Sequence, residues 1–198
     1  MDHGKYNAIA IEAADEILRH YIEGKGLLEN VSLEGGFVDT PKGREINPGH
    51  SLEAAWFVMA EGVYQNNDLY KTKAKEIIDV SMRLGYRDGG IISFCDCDGF
   101  PPNHLEWDMK IWWPQCEAMI AFRMAYMLSG EEKYLKLYEE FKAYCEKYFL
   151  DSENGEWYGY LHRDGTVAQP AKGNIFKGPF HIPRMMIRCH TLCNEILG

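Results

Sequence analysis

Residues 47–57 read NPGHSLEAAWF. Asn47 and Pro48 form turns, and from there apolar residues recur at helical spacing without further punctuation. Proline suits the start of a helix because its missing N–H would have no intrahelical partner there. The stretch predicts a helix that starts at Pro48 and carries an imidazole, His50, in its first turn, with Glu53 three residues on and on the same face.

The device recurs. Pro114 in WWPQCEAMIAF and Pro183 in HIPRMM also open apolar helical runs, at similar intervals along the chain. Each proline has an ionisable neighbour: His50 after Pro48, Glu117 three residues after Pro114, and His181 and Arg184 flanking Pro183. Helical spacing covers about six segments, namely Tyr6–Ile22, Pro48–Gln65, Leu69–Leu84, Pro114–Leu128, Glu132–Phe149 and Pro183–Ile196. The short links QNND and MLSGEEK make two antiparallel helical hairpins, with a lone helix at each end. Three long Gly-rich connections separate them, and short strands or ordered loops are expected there. Such a repeat predicts an all-α chain, a toroid of helical hairpins whose inner helices aim their N-termini at one cleft. Residues 1–198 are expected to form one domain.

Composition narrows the function classes. The chain has 198 residues, 46% of them hydrophobic and 13% aromatic. That is enough apolar surface for a sizeable core. Lys and Arg number 21 against 30 Asp and Glu, a formal charge of −9 with no basic cluster. Nucleic acid and anionic membrane surfaces are disfavoured as partners. No run approaches the roughly 18 apolar residues of a membrane span. The N-terminus is acidic and amphipathic rather than a signal peptide, so a cytoplasmic protein with free thiols is expected. The cysteines of CDC (Cys95, Cys97) and CHTLC (Cys189, Cys193, with His190) do not match paired zinc-ligand spacings, and no metal site is expected.

The ionisable groups near the three prolines suggest proton-transfer chemistry. A helix N-terminus disfavours a protonated imidazole, so His50 is expected to be neutral and basic, with Glu53 orienting its ring. His181 adds a second acid/base group, and Arg184 a positive charge for a developing oxyanion. A carboxylate amid large apolar residues, as Glu117 is, needs a partner. Trp112 and Trp113, with Trp157, Tyr158 and Tyr160, offer faces on which a sugar ring could stack; Trp56 and Phe57 read as core. His3, His20, His104, His162 and His190 read as surface or structural.

Four stretches, GREINPGHSLEAAWF, LEWDMKIWWPQCEAMIAFRMAY, GEWYGYLHRDG and KGNIFKGPFHIPRMM, together resemble the N-acylglucosamine 2-epimerase family, which includes the renin-binding proteins. The resemblance implies an (α/α)6 barrel, of which about half is present here, similar to the C-terminal half. It implies interconversion of N-acetyl-D-glucosamine and N-acetyl-D-mannosamine by proton removal and return at C2, with His50 and His181 as the acid/base pair. Glu117 and Arg184 would join them in the catalytic set, and Glu53, Trp112 and Trp113 would bind substrate. No cofactor is required, with ATP or another nucleotide as an effector in some members. Half a barrel would expose apolar flanks, which implies a second chain supplying the missing half or a homo-oligomer. A cellobiose 2-epimerase or aldose–ketose isomerase on the same scaffold, and a non-catalytic binding remnant, stay open as alternatives.

Overall fold

The Asn47 side chain accepts a hydrogen bond from the His50 backbone N–H (3.1 Å). This cap fixes Pro48 as the first residue of its helix. In the computed structural model, which describes residues 3–197, the helices are α1 (His3–Arg19), α2 (Pro48–Tyr64), α3 (Asp68–Gly85), α4 (Trp112–Ser129), α5 (Glu132–Tyr148) and α6 (His181–Leu197). Met1, Asp2 and Gly198 of the expected domain lie outside the described residues.

Boundaries differ from the sequence expectation most at α1, which begins at His3 rather than Tyr6, and at α4 and α6. Tyr21–Ile22 (β1) leaves the first helix to pair with Gly26–Leu27 (β2), so α1 stops at Arg19. The other two helices, α4 and α6, begin two residues before their prolines, at Trp112 and His181. Proline is tolerated there too, because every N–H of a helix's first turn lacks an intrahelical acceptor. The Trp112 N–H is instead satisfied by the Gly159 carbonyl (3.0 Å).

Helix α2 packs on α3 and α4, and α4 on α5 and α6, while α1 lies against α2. The inner row is therefore α2, α4 and α6, with α1, α3 and α5 outside: the alternating layers of about half an α/α toroid. Their sequences explain the sorting. Inner helices α2 and α4 bury residues on most of their circumference, among them Leu52, Val58, Met59, Met119, Ile120 and Phe122. Outer helices α3 and α5 bury one stripe each, such as Tyr70, Ala74 and Ile77 in α3 and Tyr134 and Phe141 in α5. Each large aliphatic side chain so buried contributes about 1.5–3 kcal/mol.

The long connections fold over the N-terminal ends of the inner helices. Glu45–Ile46 (β3) pairs with Cys95–Asp96 (β6), joining the first connection to the second. Tyr86–Arg87 (β4) pairs with Gly90–Ile91 (β5). Lys110–Ile111 (β7) pairs with Tyr160–Leu161 (β8), which also pairs with Val167–Gln169 (β9). The buried Gln115 side chain ties α4 to β5 by accepting from the Ile91 N–H (2.9 Å) and donating to its carbonyl (2.8 Å). All six cysteines are free thiols, five of them buried. Among the described residues no helix is long and apolar enough to cross a membrane.

Candidate functional site

Gly49 brings the first two inner-helix ends together. A Cβ there would lie 2.7 Å from the Trp113 ring and 2.8 Å from Pro114. Only glycine, with no side chain, lets the start of α2 touch the start of α4. That approach sets the His50 ring 5.0 Å from the Trp113 ring, centroid to centroid. On its other contact Trp113 meets His181 of α6 at 5.6 Å. One indole thus separates two imidazoles delivered by two different helices.

The two imidazoles are held differently. His181 Nδ1 lies 2.8 Å from Glu117 Oε1. Glu117 is fully buried, as its apolar setting demands. Each of its oxygens is satisfied: Arg184 also donates to Oε1 (2.7 Å), and the Trp56 indole N–H donates to Oε2 (2.8 Å). Arg184 donates to Glu53 as well. Expected as the partner of His50, Glu53 is engaged by Arg184 instead. The same contacts commit the Arg184 charge to two carboxylates, so Arg184 holds those carboxylates in place rather than standing ready for an oxyanion. Among the described residues, Glu53, Glu117 and His181 form the one set of three groups close enough to share a metal ion. The Arg184 guanidinium already supplies a cation to both of those carboxylates.

His50 is half-exposed, and its Nδ1 lies 3.1 Å from both oxygens of Glu29 in the first connection. That hydrogen bond, with the charges of Glu29 and Glu53 behind it, holds the imidazolium above its ordinary pKa of 6.5, against the desolvation that would lower it. Against the lowering expected from the helix end, the carboxylate in direct contact raises the His50 pKa. Each ring keeps Nε2 free of protein partners among the described residues.

A cleft of about 670 Å³ opens beside His50. Trp112, Trp113, Tyr160, Ile111, Phe94 and Phe176 give it aromatic and apolar walls, with Asn47, Glu106 and Met109 at its margins. The Nε1–H of Trp112 is buried without a partner. Of the other aromatics read as stacking surfaces, Trp157 is buried in the core against Phe149 and Tyr158 donates to Asp151, so neither reaches the cleft. Trp56, read as core, is buried there with its ring 5.3 Å from the Arg184 guanidinium, whereas Phe57, also read as core, is 43% exposed and lies 5.6 Å from the same group. His20 and His104 serve the fold. His20 Nδ1 meets the Leu28 carbonyl at 2.9 Å, and His104 stacks on Phe94 and lies 2.7 Å from Glu45. The cysteines of CDC and CHTLC do not assemble into a ligand set among the described residues.

Sequence reasoning missed Glu29 and Trp56. Trp56 had a signal, since it follows Glu53 by three residues on α2 and a buried carboxylate needs donors. Glu29 had none in its own stretch, because only the β1–β2 hairpin carries it back to the start of α2.

Comparison with known proteins places these residues in context. The profile of the N-acylglucosamine 2-epimerase (GlcNAc 2-epimerase) family matches residues 6–180. The N-acylglucosamine 2-epimerase of Homo sapiens is 41% identical over 202 residues, covering 98% of this chain and 46% of that protein. A cellobiose 2-epimerase of Ruminococcus albus is 30% identical over 150 residues, covering 72% of this chain and 37% of that protein. The crystal structure of a D-mannose isomerase superposes with a TM-score of 0.81 at 20% identity, over 98% of this chain and 50% of that one. The chain thus spans about half the length of the curated relatives it matches.

Proposed function

This chain belongs to the N-acylglucosamine 2-epimerase family, and from that premise we propose that it forms one half of a sugar 2-epimerase site acting on N-acetyl-D-glucosamine and N-acetyl-D-mannosamine. The observation that carries the reading is the pair of imidazoles flanking Trp113, each held through Nδ1 by its own carboxylate with Nε2 left free. An epimerase of this kind needs two acid/base groups that reach C2 from opposite sides.

In this reading the open-chain sugar lies over Trp113. One histidine takes the C2 proton on Nε2, the C2–H bonding pair moves into the C1–C2 bond and charge builds on the C1 oxygen. The other histidine, as imidazolium, returns a proton to the opposite face. Glu29 favours the protonated form of His50 and turns its ring, and Glu117, held by Arg184 and Trp56, does the turning for His181. Arg184 acts as a positioning residue, and Trp112 and Trp113 hold the sugar. Protons are the only groups moved, so no cofactor is needed, and ATP or another nucleotide enters only as an effector.

Exposed apolar faces support the reading of a partner. On α6, Met186 and Ile187 are 56% and 65% exposed, and a groove of about 420 Å³ between α5 and α6 is lined by Met119, Trp157, Met185 and Cys189. At the other flank Tyr6 and Ile9 of α1 are exposed. A second half-barrel, from another chain or another copy, would cover these faces. Light scattering should find an assembly, and a monodisperse monomer would count against it.

The test of the chemistry is an NMR assay with N-acetylmannosamine in deuterated buffer. Conversion to N-acetylglucosamine should bring solvent deuterium to C2 and should vanish in His181→Ala. Conversion without deuterium would contradict proton transfer. A substrate panel separates the neighbouring activities: the same pair of bases would move a proton from C2 to C1 in an aldose–ketose isomerase, a reading favoured by the likeness to D-mannose isomerase.

A further inference from the structure

A second cleft, of about 360 Å³, lies on the far side of the segment that walls the first. Residues 94–109 are shared between the two: Phe94, Glu106 and Met109 face the sugar cleft, while Cys95, Asp96, Phe100 and Trp107 line the second one. Three arginines close it, Arg83 from the last turn of α3, Arg87 from β4 and Arg163 from the turn after β8.

The charges here do not cancel. Asp96, the one carboxylate in the lining, is met by Arg44 at 3.0 Å, and Arg44 is outside the lining. Arg163 reaches Asp88 at 3.5 Å. Arg83 and Arg87 have no carboxylate within ion-pair distance among the described residues; they donate to the Gly24 and Tyr86 carbonyls, at 3.0 and 2.6 Å. Two positive charges are thus left over at one cleft of a chain whose net charge is −9. Arg83 alone is explained by the negative end of the α3 dipole. Arg87 and the convergence of all three are not. Guanidinium groups suit phosphate oxygens, two uncompensated cations match a dianion, and Trp107 offers a ring face beside them, the Phe100 ring being met by the Arg44 guanidinium at 4.7 Å.

We propose that this cleft binds a phosphate monoester carried on a small ring, of the sugar phosphate class, with the phosphate on Arg83 and Arg87 and the ring against Trp107. Such a ligand would bridge α3 and β4 to residues 94–109 and so stiffen the wall of the neighbouring cleft. The site does not depend on the epimerase reading.

Isothermal titration of the full chain at about 0.1 M salt, with glucose 6-phosphate, inorganic phosphate and glucuronate as probes, tests it. Glucose 6-phosphate should bind saturably and about tenfold or more tighter than either other probe. Arg87→Ala and Arg83→Ala should each weaken it by about tenfold, with unfolding temperature unchanged. His181→Ala should leave it intact, which separates this site from the sugar cleft. Amide exchange in residues 94–109 should slow on binding. Absence of saturable binding would overturn the proposal. So would affinity unchanged in both arginine variants, or equal affinity for inorganic phosphate, which would leave the ring no role.

Discussion

His50 and His181 are both histidines in the first turn of an inner helix, both held by a glutamate at Nδ1, yet their surroundings are opposites. Glu117 is fully buried, and three donors converge on it: Trp56 from α2, and His181 and Arg184 from α6, with the carboxylate itself on α4. Glu29 sits in a loop, and the ring it holds is half in water. The buried arrangement locks one ring by desolvating a carboxylate, a penalty that only a complete set of hydrogen bonds offsets. The exposed pair costs little to form and raises the pKa of the other ring. The two acid/base groups are thus held by carboxylates in unlike surroundings, one buried and one open to water.

The largest effect should come from breaking the buried side. Glu117→Ala leaves Arg184 and Trp56 without their shared acceptor, and denaturant unfolding should show a loss of about 3–5 kcal/mol. A loss as small as a surface substitution gives would contradict the convergence described. Trp56→Phe keeps the packing but strips Glu117 Oε2 of its donor, and should cost about 1–3 kcal/mol in the same measurement.

On the exposed side the effect should appear in titration more than in stability. Glu29→Gln should cost less than about 1 kcal/mol, while the NMR titration midpoint of His50, above 6.5 in the parent chain, falls. The sign follows from linkage. A histidine whose pKa is raised by folding contributes stability that is fully present below the unfolded value of about 6.5 and is lost as pH rises through the folded one. The stability gap between parent and Glu29→Gln should therefore shrink as pH rises across that window. The smallest effect expected is that of salt: raising ionic strength to about 1 M should draw the His50 midpoint back toward its ordinary value, because the pair is open to screening. A midpoint that ignores both changes would mean that Glu29 does not hold the ring.

The same contrast separates what was legible in the sequence from what was not. The helices, their pairing and the convergence of His50, Glu117, His181 and Arg184 followed from periodicity and from prolines at helix starts, because a buried helix writes its environment into every third or fourth residue. Glu117 stood out as a charge among WWPQC and AMIAF. Glu29 did not, since its contact is made by a hairpin of two-residue strands, and strands that short leave no alternating pattern to read. Glu53 was assigned to His50 for being near in sequence. The α6 arginine, 131 residues further on, takes it in space. The neutral His50 expected from the helix end took no account of Glu29, 21 residues upstream, whose hydrogen bond raises the ring's pKa.

The central claim, that His50 and His181 are separate members of one acid/base pair, is tested most directly by His50→Asn and His181→Asn, each incubated with either epimer in deuterated buffer in the assembly that is active for the parent chain. If each histidine serves one face of C2, each variant loses conversion but still exchanges the C2 proton of one epimer, and the two variants spare opposite epimers. If both variants lose exchange with both epimers, or both spare the same one, the two histidines do not divide the reaction between them.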